Sequence, residues 1–362
     1  MFSVSKKYGK LSSAKIDSGY VKGLVSVVLP VYNGEKYICE AIESVLNQSH
    51  RYLELIIVND GSTDNTGTII EKYCYDQRVK IINQENQKLP GALNKGFEEA
   101  RGEFYTWTSA DNIMLENCIE TMTEELCVNK DIDMVYGNMY LIDSKGCKIT
   151  GHGWFEFSVG SGNVILPDST LLLNTVANNT IGAAFMYRAG AECVLGGYSH
   201  RLYLLEDYDY FMKMNSLFKI RHISKKEPIY AYRMHKDSLT AHDEELGITA
   251  SRPKLMKFDK IRRKAYNKPI YARIQGDIPI DLREFGIYNK KNSCAVICDK
   301  YIYNEETPAK YIMEVKRCPN GAFEIKNAGK VMKIEDTTDA GLFLRYALCC
   351  RVLRDAETKY IV

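Results

Sequence analysis

The run Leu24-Val25-Ser26-Val27-Val28-Leu29, stopped by Pro30, is short and apolar and reads as a strand buried on both faces. Ile38, Ala41, Ile42, Val45 and Leu46 follow at helical spacing. Leu53-Glu54-Leu55-Ile56-Ile57-Val58 then supplies a second such run, ending at Asn59-Asp60-Gly61. A strand, a helix and a strand in this order form a βαβ unit with parallel strands, which commits the chain to an α/β architecture.

The pattern repeats. Ser62 or Asp64 can cap a helix carrying Ile69, Ile70 and Tyr73, and 79–82 is a third strand. Pro90 sits where a first helical turn tolerates it, ahead of Leu93, Phe97 and Ala100 on one face. Phe104-Tyr105-Thr106-Trp107-Thr108 is a fourth strand running into Ser109-Ala110-Asp111-Asn112. In open parallel sheets ligands bind beyond the carboxyl ends of the strands, so Tyr32, Asp60 and Asp111 should gather on one edge.

From about Asp131 the rhythm is less regular. A strand is expected over 134–141, another over 181–187, a helix over 206–218 and a short strand over 230–235. Arg252, Lys254, Lys257, Lys260, Arg262, Arg263 and Lys264 form a basic helix with Leu255, Phe258 and Ile261 at spacings of three. The expected division is an extension over 1–23, a catalytic domain over 24–245, a basic helical linker over 246–270 and a smaller α+β region over 271–362. Short strands over 295–303, 311–316, 322–325 and 331–334 and a closing helix over 342–353 make up that last part.

A chain of 362 residues suits one large domain with a smaller companion. The net charge of +2, without basic-aromatic clusters, argues against a nucleic-acid partner. The 11 cysteines show no CxxC spacing and read as reduced thiols in a cytosolic setting. Neither a signal-peptide pattern nor an apolar run of membrane-spanning length occurs, so any membrane contact is expected to be peripheral.

Two nucleotide motifs are missing: the turn after the first strand, Pro30-Val31-Tyr32-Asn33-Gly34, carries no GxGxxG, and no Walker GxxxxGK[ST] is present. Instead, Val25 to Asn33 followed by Ile56-Ile57-Val58-Asn59-Asp60-Gly61-Ser62-Thr63-Asp64 resembles the opening of family 2 glycosyltransferases of the GT-A fold. Gly102-Glu103-Phe104, Ser109-Ala110-Asp111, Leu205-Glu206-Asp207 and Tyr232-Arg233-Met234-His235 continue the resemblance in the family's order, over about 24–240. It implies a Rossmann-like, mostly parallel sheet flanked by helices, and an inverting transfer from a nucleotide sugar.

On this resemblance Asp60 and Tyr32 read the nucleobase, a carboxylate accepting from a ring N–H while the phenol packs on the base. Pro30, Ser109 and Ala110 join the nucleotide site. Asn-Asp-Gly-Ser is equally ordinary turn punctuation. A diphosphate leaving group needs a hard divalent cation with open coordination positions, and Asp111 is the candidate ligand. The family often has two or three acids there, where this chain has Ser109, Ala110, Asp111 and Asn112. His235 stands where the resemblance implies a metal-binding histidine, and such a mixed shell suits Mn²⁺ at least as well as Mg²⁺. Lys88 is the candidate for a basic contact to the diphosphate, although a lone loop lysine is commonly just solvated.

Asp207 matches the family's catalytic position and would take the acceptor proton, with Glu206 orienting the acceptor. Acids also favour a helix start without any catalytic purpose. A single base without a nucleophile motif implies one in-line displacement with inversion. Trp154 is the candidate acceptor-side aromatic, and Asn179 and Gly182 border the donor sugar. The resemblance implies a UDP- or dTDP-linked donor and a glycan or lipid-linked hydroxyl acceptor, in surface polysaccharide synthesis on the cytoplasmic side of the membrane. The basic segment would then meet anionic lipid, or it is a solvated helix face. The closing apolar helix is open to core packing, oligomer formation or membrane contact.

Three rivals remain at this point. A nucleotidyltransferase would show a Gly- and Arg-rich loop after the first strand. A processive synthase would show membrane helices and Gln-x-x-Arg-Trp, and this chain has neither. A sugar-nucleotide-binding or scaffold protein that has lost catalysis would explain the thinned acidic motif, but not the retention of Asp111, Asp207 and His235 together.

Overall fold

The computed structural model describes residues 10–151, 157–223, 227–266, 270–276, 287–290, 294–297, 312–327 and 329–356. After a two-residue strand β1 (Ile16–Asp17) come β2 (Val21–Val31), α1 (Ile38–Leu46), β3 (Leu53–Asp60), α2 (Thr66–Glu71), β4 (Val79–Gln84), α3 (Lys88–Glu98) and β5 (Gly102–Trp107). β2 lies between β3 and β5 and β4 flanks β3, all in parallel register. Leu24 to Val31 and the whole of β3 are buried, which is why these strands read as unbroken apolar runs. α3 packs so closely on β2 that a Cβ at Gly96 would overlap Val28.

A polar knot fixes the register at the amino ends of these strands. Ser26 Oγ donates to Glu54 Oε1 at 2.6 Å, Arg101 Nη2 donates to Glu54 Oε2 at 2.9 Å, and the Gly102 amide donates to Ser26 Oγ at 2.8 Å. A slip of one residue would bury Glu54 without these partners.

The next elements are β6 (Ile113–Met114), α4 (Cys118–Val128), β7 (Met134–Tyr136), β8 (Met139–Ile142), β9 (Asn163–Val164), β10 (Phe185–Arg188), α5 (Ala189–Leu195), α6 (Glu206–Leu217), β11 (Ile220–His222) and β12 (Tyr230–Arg233). They complete a seven-stranded sheet in the order β11-β7-β10-β5-β2-β3-β4, with β10 antiparallel to both β5 and β7. A four-stranded sheet, β6-β12-β8-β9, stands beside it.

Two expected strands differ. The 134–141 run is split, and its halves join different sheets. Between them, a Cβ at Gly137 would lie 2.7 Å from Ile229 Cδ1, and buried Asn138 Oδ1 accepts from the Leu166 amide at 2.9 Å. The 181–187 strand starts only at Phe185, because Gly182 holds a left-handed φ of 73°.

Last come α7 (Asp243–Leu246), α8 (Ile248–Ala265), β13 (Ile270–Gly276), β14 (Ile287–Lys290), β15 (Cys294–Ile297), β16 (Ile312–Arg317), β17 (Phe323–Asn327), β18 (Lys330–Ile334) and α9 (Thr337–Ala356). The expected strand over 295–303 is described only as far as Ile297. The third sheet has the order β1-β18-β17-β16-β13-β15-β14, so the residues just before the first buried strand pair with the far end of the chain. Ile16 stands opposite Ile334 in antiparallel register.

The segment ahead of β1 is also tied down. Lys10 Nζ donates to the Asn215 and Phe218 carbonyls at 3.1 and 2.8 Å, capping the carboxyl end of α6. The Ser13 hydroxyl donates to buried Asp133 at 2.6 Å. α9 packs against α5 with Leu342 to Leu344 and Tyr346 to Cys350 buried, and Arg354 Nη2 donates to the Leu195 carbonyl at 2.9 Å. Among the described residues no helix is long and apolar enough to cross a membrane.

The basic helix divides its charges between two faces. Lys254, Lys257, Lys260 and Lys264 are exposed, whereas Arg262 is 1% exposed and its guanidinium bonds Asp209 of α6 and Asp259. Arg263 Nε adds a bond to Asp259 at 2.7 Å, and Lys213 Nζ lies 3.4 Å from Asp209. This buried cluster locks α8 to α6. Taking one partner from a buried ion network strands the others, so Arg262→Met should cost about 3–5 kcal/mol. Lys254→Ala on the solvent face should cost no more than about 0.5 kcal/mol. Urea denaturation of the two variants measures this, and equal midpoints would rule out the cluster as the tie between the helices.

Candidate active site

The carboxyl ends of β2, β3 and β5 lead into three turns that lie together. The first two are laced by side chains: the Thr63 amide donates to Asn33 Oδ1 at 2.8 Å, the Gly34 amide to Thr66 Oγ1 at 2.8 Å, and the Glu35 amide to Asp64 Oδ2 at 3.1 Å. The third turn meets the first, with Ala110 Cβ 3.5 Å from the position a Cβ would take on Gly34. Pro30 lies in β2 opposite Val58, and Tyr32 projects from the first turn with 53% of its surface exposed.

Asp60 ends β3 and is only 3% exposed. Its Oδ1 accepts from Gln84 Nε2 at 2.7 Å and from the Gln87 amide at 2.8 Å, and Oδ2 has no partner among the described residues. A buried carboxylate with one oxygen fixed and one unused is suited to accept from a ring N–H. Gly61 permits this arrangement: its φ is 78°, and a Cβ there would lie 2.9 Å from the Asn86 amide nitrogen. Sequence reasoning missed Gln84 and Gln87, which no short motif marks.

Three non-glycine residues with left-handed φ are described: Asn33 (51°), Lys88 (65°) and Leu204 (79°). Each conformation costs about 1–3 kcal/mol and persists where the surroundings over-determine it. Asn33 adjoins Tyr32, Lys88 opens α3 with its side chain exposed, and Leu204 leads into Glu206. All three fall at the sequence-derived site.

Asp111 and His235 come together, with His235 Nε2 at 2.9 Å from Asp111 Oδ2. Asp111 Oδ1 and His235 Nδ1 are buried without a partner among the described residues. Arg233 supports them from below: its Nε donates to the Asp111 carbonyl at 2.8 Å, its amide to Asn112 Oδ1 at 2.8 Å, and its guanidinium lies 4.5 Å from the centre of the Tyr37 ring. Tyr37 in turn stands 5.0 Å from the His235 ring, centre to centre. Among the described residues no third His, Cys, Asp or Glu joins the pair to make a metal cluster. An unpartnered carboxylate oxygen beside an imidazole fits a cation that draws its other ligands from a diphosphate and water.

Glu206 and Asp207 open α6. Asp207 Oδ2 accepts from Asn179 Nδ2 at 3.0 Å, which places Asn179 on this carboxylate rather than only at the edge of a sugar site. Gly182 lies against Leu166 and Met139, and Trp154 falls outside the described residues. Tyr203 is within electrostatic reach of Glu206 and Asp60, and Tyr232 of Asp111 and Asp207.

Burial, reinforced by the Asp207 charge, pushes the Glu206 carboxyl up to about 8. Its Oε2 is buried with no partner. Burial also raises Asp207, opposed by the Tyr208 amide, the Arg252 charge and Asn179. The dipole of α6 favours ionised acids by only about 0.3–1 kcal/mol, too little to offset burial. Near neutral pH the pair therefore retains a proton, and burial makes Asp207 harder to ionise than an exposed aspartate.

Folding takes up a proton at Glu206 between its unfolded value, ~4.3, and about 8. The stability this residue contributes is complete at the acid end, declines across that window and is level above it. Glu206→Gln removes the decline. The difference in urea midpoint, variant minus wild type, should rise from pH 5 to pH 8.5, and a difference that does not vary with pH would show that Glu206 titrates normally.

A model of glycosyl transferase family 2 matches residues 26–193. An uncharacterized glycosyltransferase of Haemophilus influenzae is 30% identical over 238 residues, covering 64% of this chain and 72% of that protein. Another, from Rickettsia conorii, is 32% identical over 240 residues, covering 62% of this chain and 37% of that longer protein. Among solved structures, residues 1–349 of Staphylococcus aureus TarS with UDP superpose with a TM-score of 0.47 at 20% identity, covering 65% of this chain and 64% of that one. The matched region holds the three turns and Asp111, and the chain belongs to glycosyltransferase family 2.

Proposed function

We propose that the protein is a non-processive, inverting glycosyltransferase that moves a sugar from a UDP- or dTDP-linked donor to a hydroxyl of a glycan or lipid-linked acceptor. The observation that carries this reading is the pair of buried Glu206 and partly buried Asp207 at the start of α6, with Asp207 held by Asn179.

Asp207 accepts the proton of the acceptor hydroxyl as its oxygen attacks the anomeric carbon. Its raised pKa makes it a stronger base than an exposed aspartate. Glu206, protonated, can donate a hydrogen bond to a sugar or acceptor oxygen. Asn179 orients the Asp207 carboxylate for an in-line approach. Tyr32 and Asp60 hold the base, and the exposed Lys88 reaches for the diphosphate. Held by Asp111 and His235, Mn²⁺ or Mg²⁺ would neutralise charge on the leaving diphosphate. A single base on the acceptor side, in a sequence without a nucleophile motif, favours a single displacement with inversion.

The exposed Lys254, Lys257, Lys260 and Lys264 form one face of α8, which supports peripheral contact with an anionic membrane surface. Lipid-linked acceptors for surface polysaccharides would be met there, on the cytoplasmic side.

Incubating the protein with a panel of nucleotide sugars and Mn²⁺ and following nucleotide release tests this. One donor should turn over, Asp207→Asn should slow it about 10²–10⁴-fold, and EDTA should suppress it until Mn²⁺ is restored. Turnover indifferent to Asp207→Asn would sink the base assignment. Calorimetry detecting no nucleoside diphosphate binding would sink the whole reading.

A further inference from the structure

The two oxygens of Asp60 are not equivalent. β3 and β4 set Asp60 opposite Gln84 in parallel register, and Gln84 Nε2 donates to Oδ1 at 2.7 Å. The Gln87 amide donates to the same oxygen at 2.8 Å. A carboxylate oxygen has two lone-pair positions, so these donors fill Oδ1 and leave acceptor capacity at Oδ2 alone. The segment that carries them is held close on both sides of Gln84. Asn59 Nδ2 donates to Asn83 Oδ1 at 2.9 Å, and a Cβ on Gly61 would lie 2.9 Å from the Asn86 nitrogen.

Gln84 also brings a donor. Bonding to a carboxylate fixes which end of its carboxamide faces Asp60, and the second N–H of Nε2 has no partner among the described residues. On the Oδ1 side of Asp60 the site therefore offers an N–H where a bare carboxylate would offer a lone pair. Nucleobases differ in what flanks the ring N–H. In uracil and thymine a carbonyl stands on either side of it. In guanine one neighbour is a carbonyl and the other an amine, and its two adjacent donors match a carboxylate with both oxygens open. With Oδ1 filled, the guanine amine meets no acceptor, and a polar group left unpaired on binding is what a hydrogen-bonding site rejects most strongly.

We propose that Gln84 is a specificity-determining residue: it makes Asp60 a single acceptor and so selects a base whose ring N–H is flanked by carbonyls, rejecting guanine. The proposal rests on the reading of Asp60 as the residue that holds the base. It gives a UDP- or dTDP-linked donor a cause in this chain's own side chains. Gln84 makes no covalent bond and moves no proton.

The test is calorimetry on the full chain with Mn²⁺ and three probes: UDP, GDP and inosine diphosphate, which is GDP without the exocyclic amine. Wild type should bind UDP, and should bind GDP about ten-fold or more weakly than inosine diphosphate. Gln84→Leu removes the side-chain donors and reopens one position on Oδ1. In that variant GDP should rise to the affinity of inosine diphosphate, and the GDP-to-UDP affinity ratio should increase about ten-fold or more. Gln84→Ala should do the same and guards against leucine crowding the base. A merely structural role would weaken all three nucleotides alike. GDP binding wild type as tightly as inosine diphosphate would overturn the proposal, as would a GDP-to-UDP ratio that neither variant raises. Wild type binding no nucleoside diphosphate at all overturns the glycosyltransferase reading, and this proposal with it.

Discussion

Strand β2 is hydrogen-bonded along both edges and covered on both faces, so Leu24 to Val31 are held from four directions at once. Any slip would expose apolar side chains and unseat the Ser26, Glu54 and Arg101 knot at its amino end. With the register fixed there, the opposite ends of β2, β3 and β5 arrive at a common edge. The turns carrying Tyr32, Asp60 and Asp111 have little freedom left. The strained backbone at Asn33, Lys88 and Leu204 is sustained by that rigidity.

Much of this was legible in the sequence because local and global preferences agree. The buried strands are unbroken apolar runs, the helices between them show their period, and the turns carry the punctuation such turns require. Asp60, Asp111, Glu206, Asp207 and His235 could be singled out because each sits in a short motif at a strand or helix end. The supports were not legible, because they come from distant parts of the chain. Arg233 braces Asp111 across more than a hundred positions, and nothing near Gln87 or Arg252 marks them for their contacts. The 134–141 run misled for a related reason. Its apolar pattern is continuous, and only the packing of Ile229 against Gly137 and the bonds to Asn138 break it in two.

The acids of α6 show how one turn of helix can hold carboxylates with different tasks. Asp209 faces Arg262 and Lys213, whose charges outweigh its burial and hold it below the usual aspartate range. Glu206, equally enclosed but without a cation, keeps its proton. Burial raises Asp207 as well, opposed by an amide and by the more distant Arg252. Placement of cations, rather than helix position, separates the three.

The pairing of β1 with β18 bears on how the molecule is made. β18 would otherwise be an edge strand with a row of unpaired backbone groups, the kind of surface that recruits other chains. Its cover is a segment synthesised before the rest of that sheet, anchored at its other end on Asp133 and the carboxyl end of α6. During synthesis that segment must wait until the last strand of the third sheet has emerged. The end of that edge at Lys333 and Ile334 is therefore covered by a contact of very long sequence separation, a late step in folding, and a chain lacking it presents more open β-edge to its neighbours.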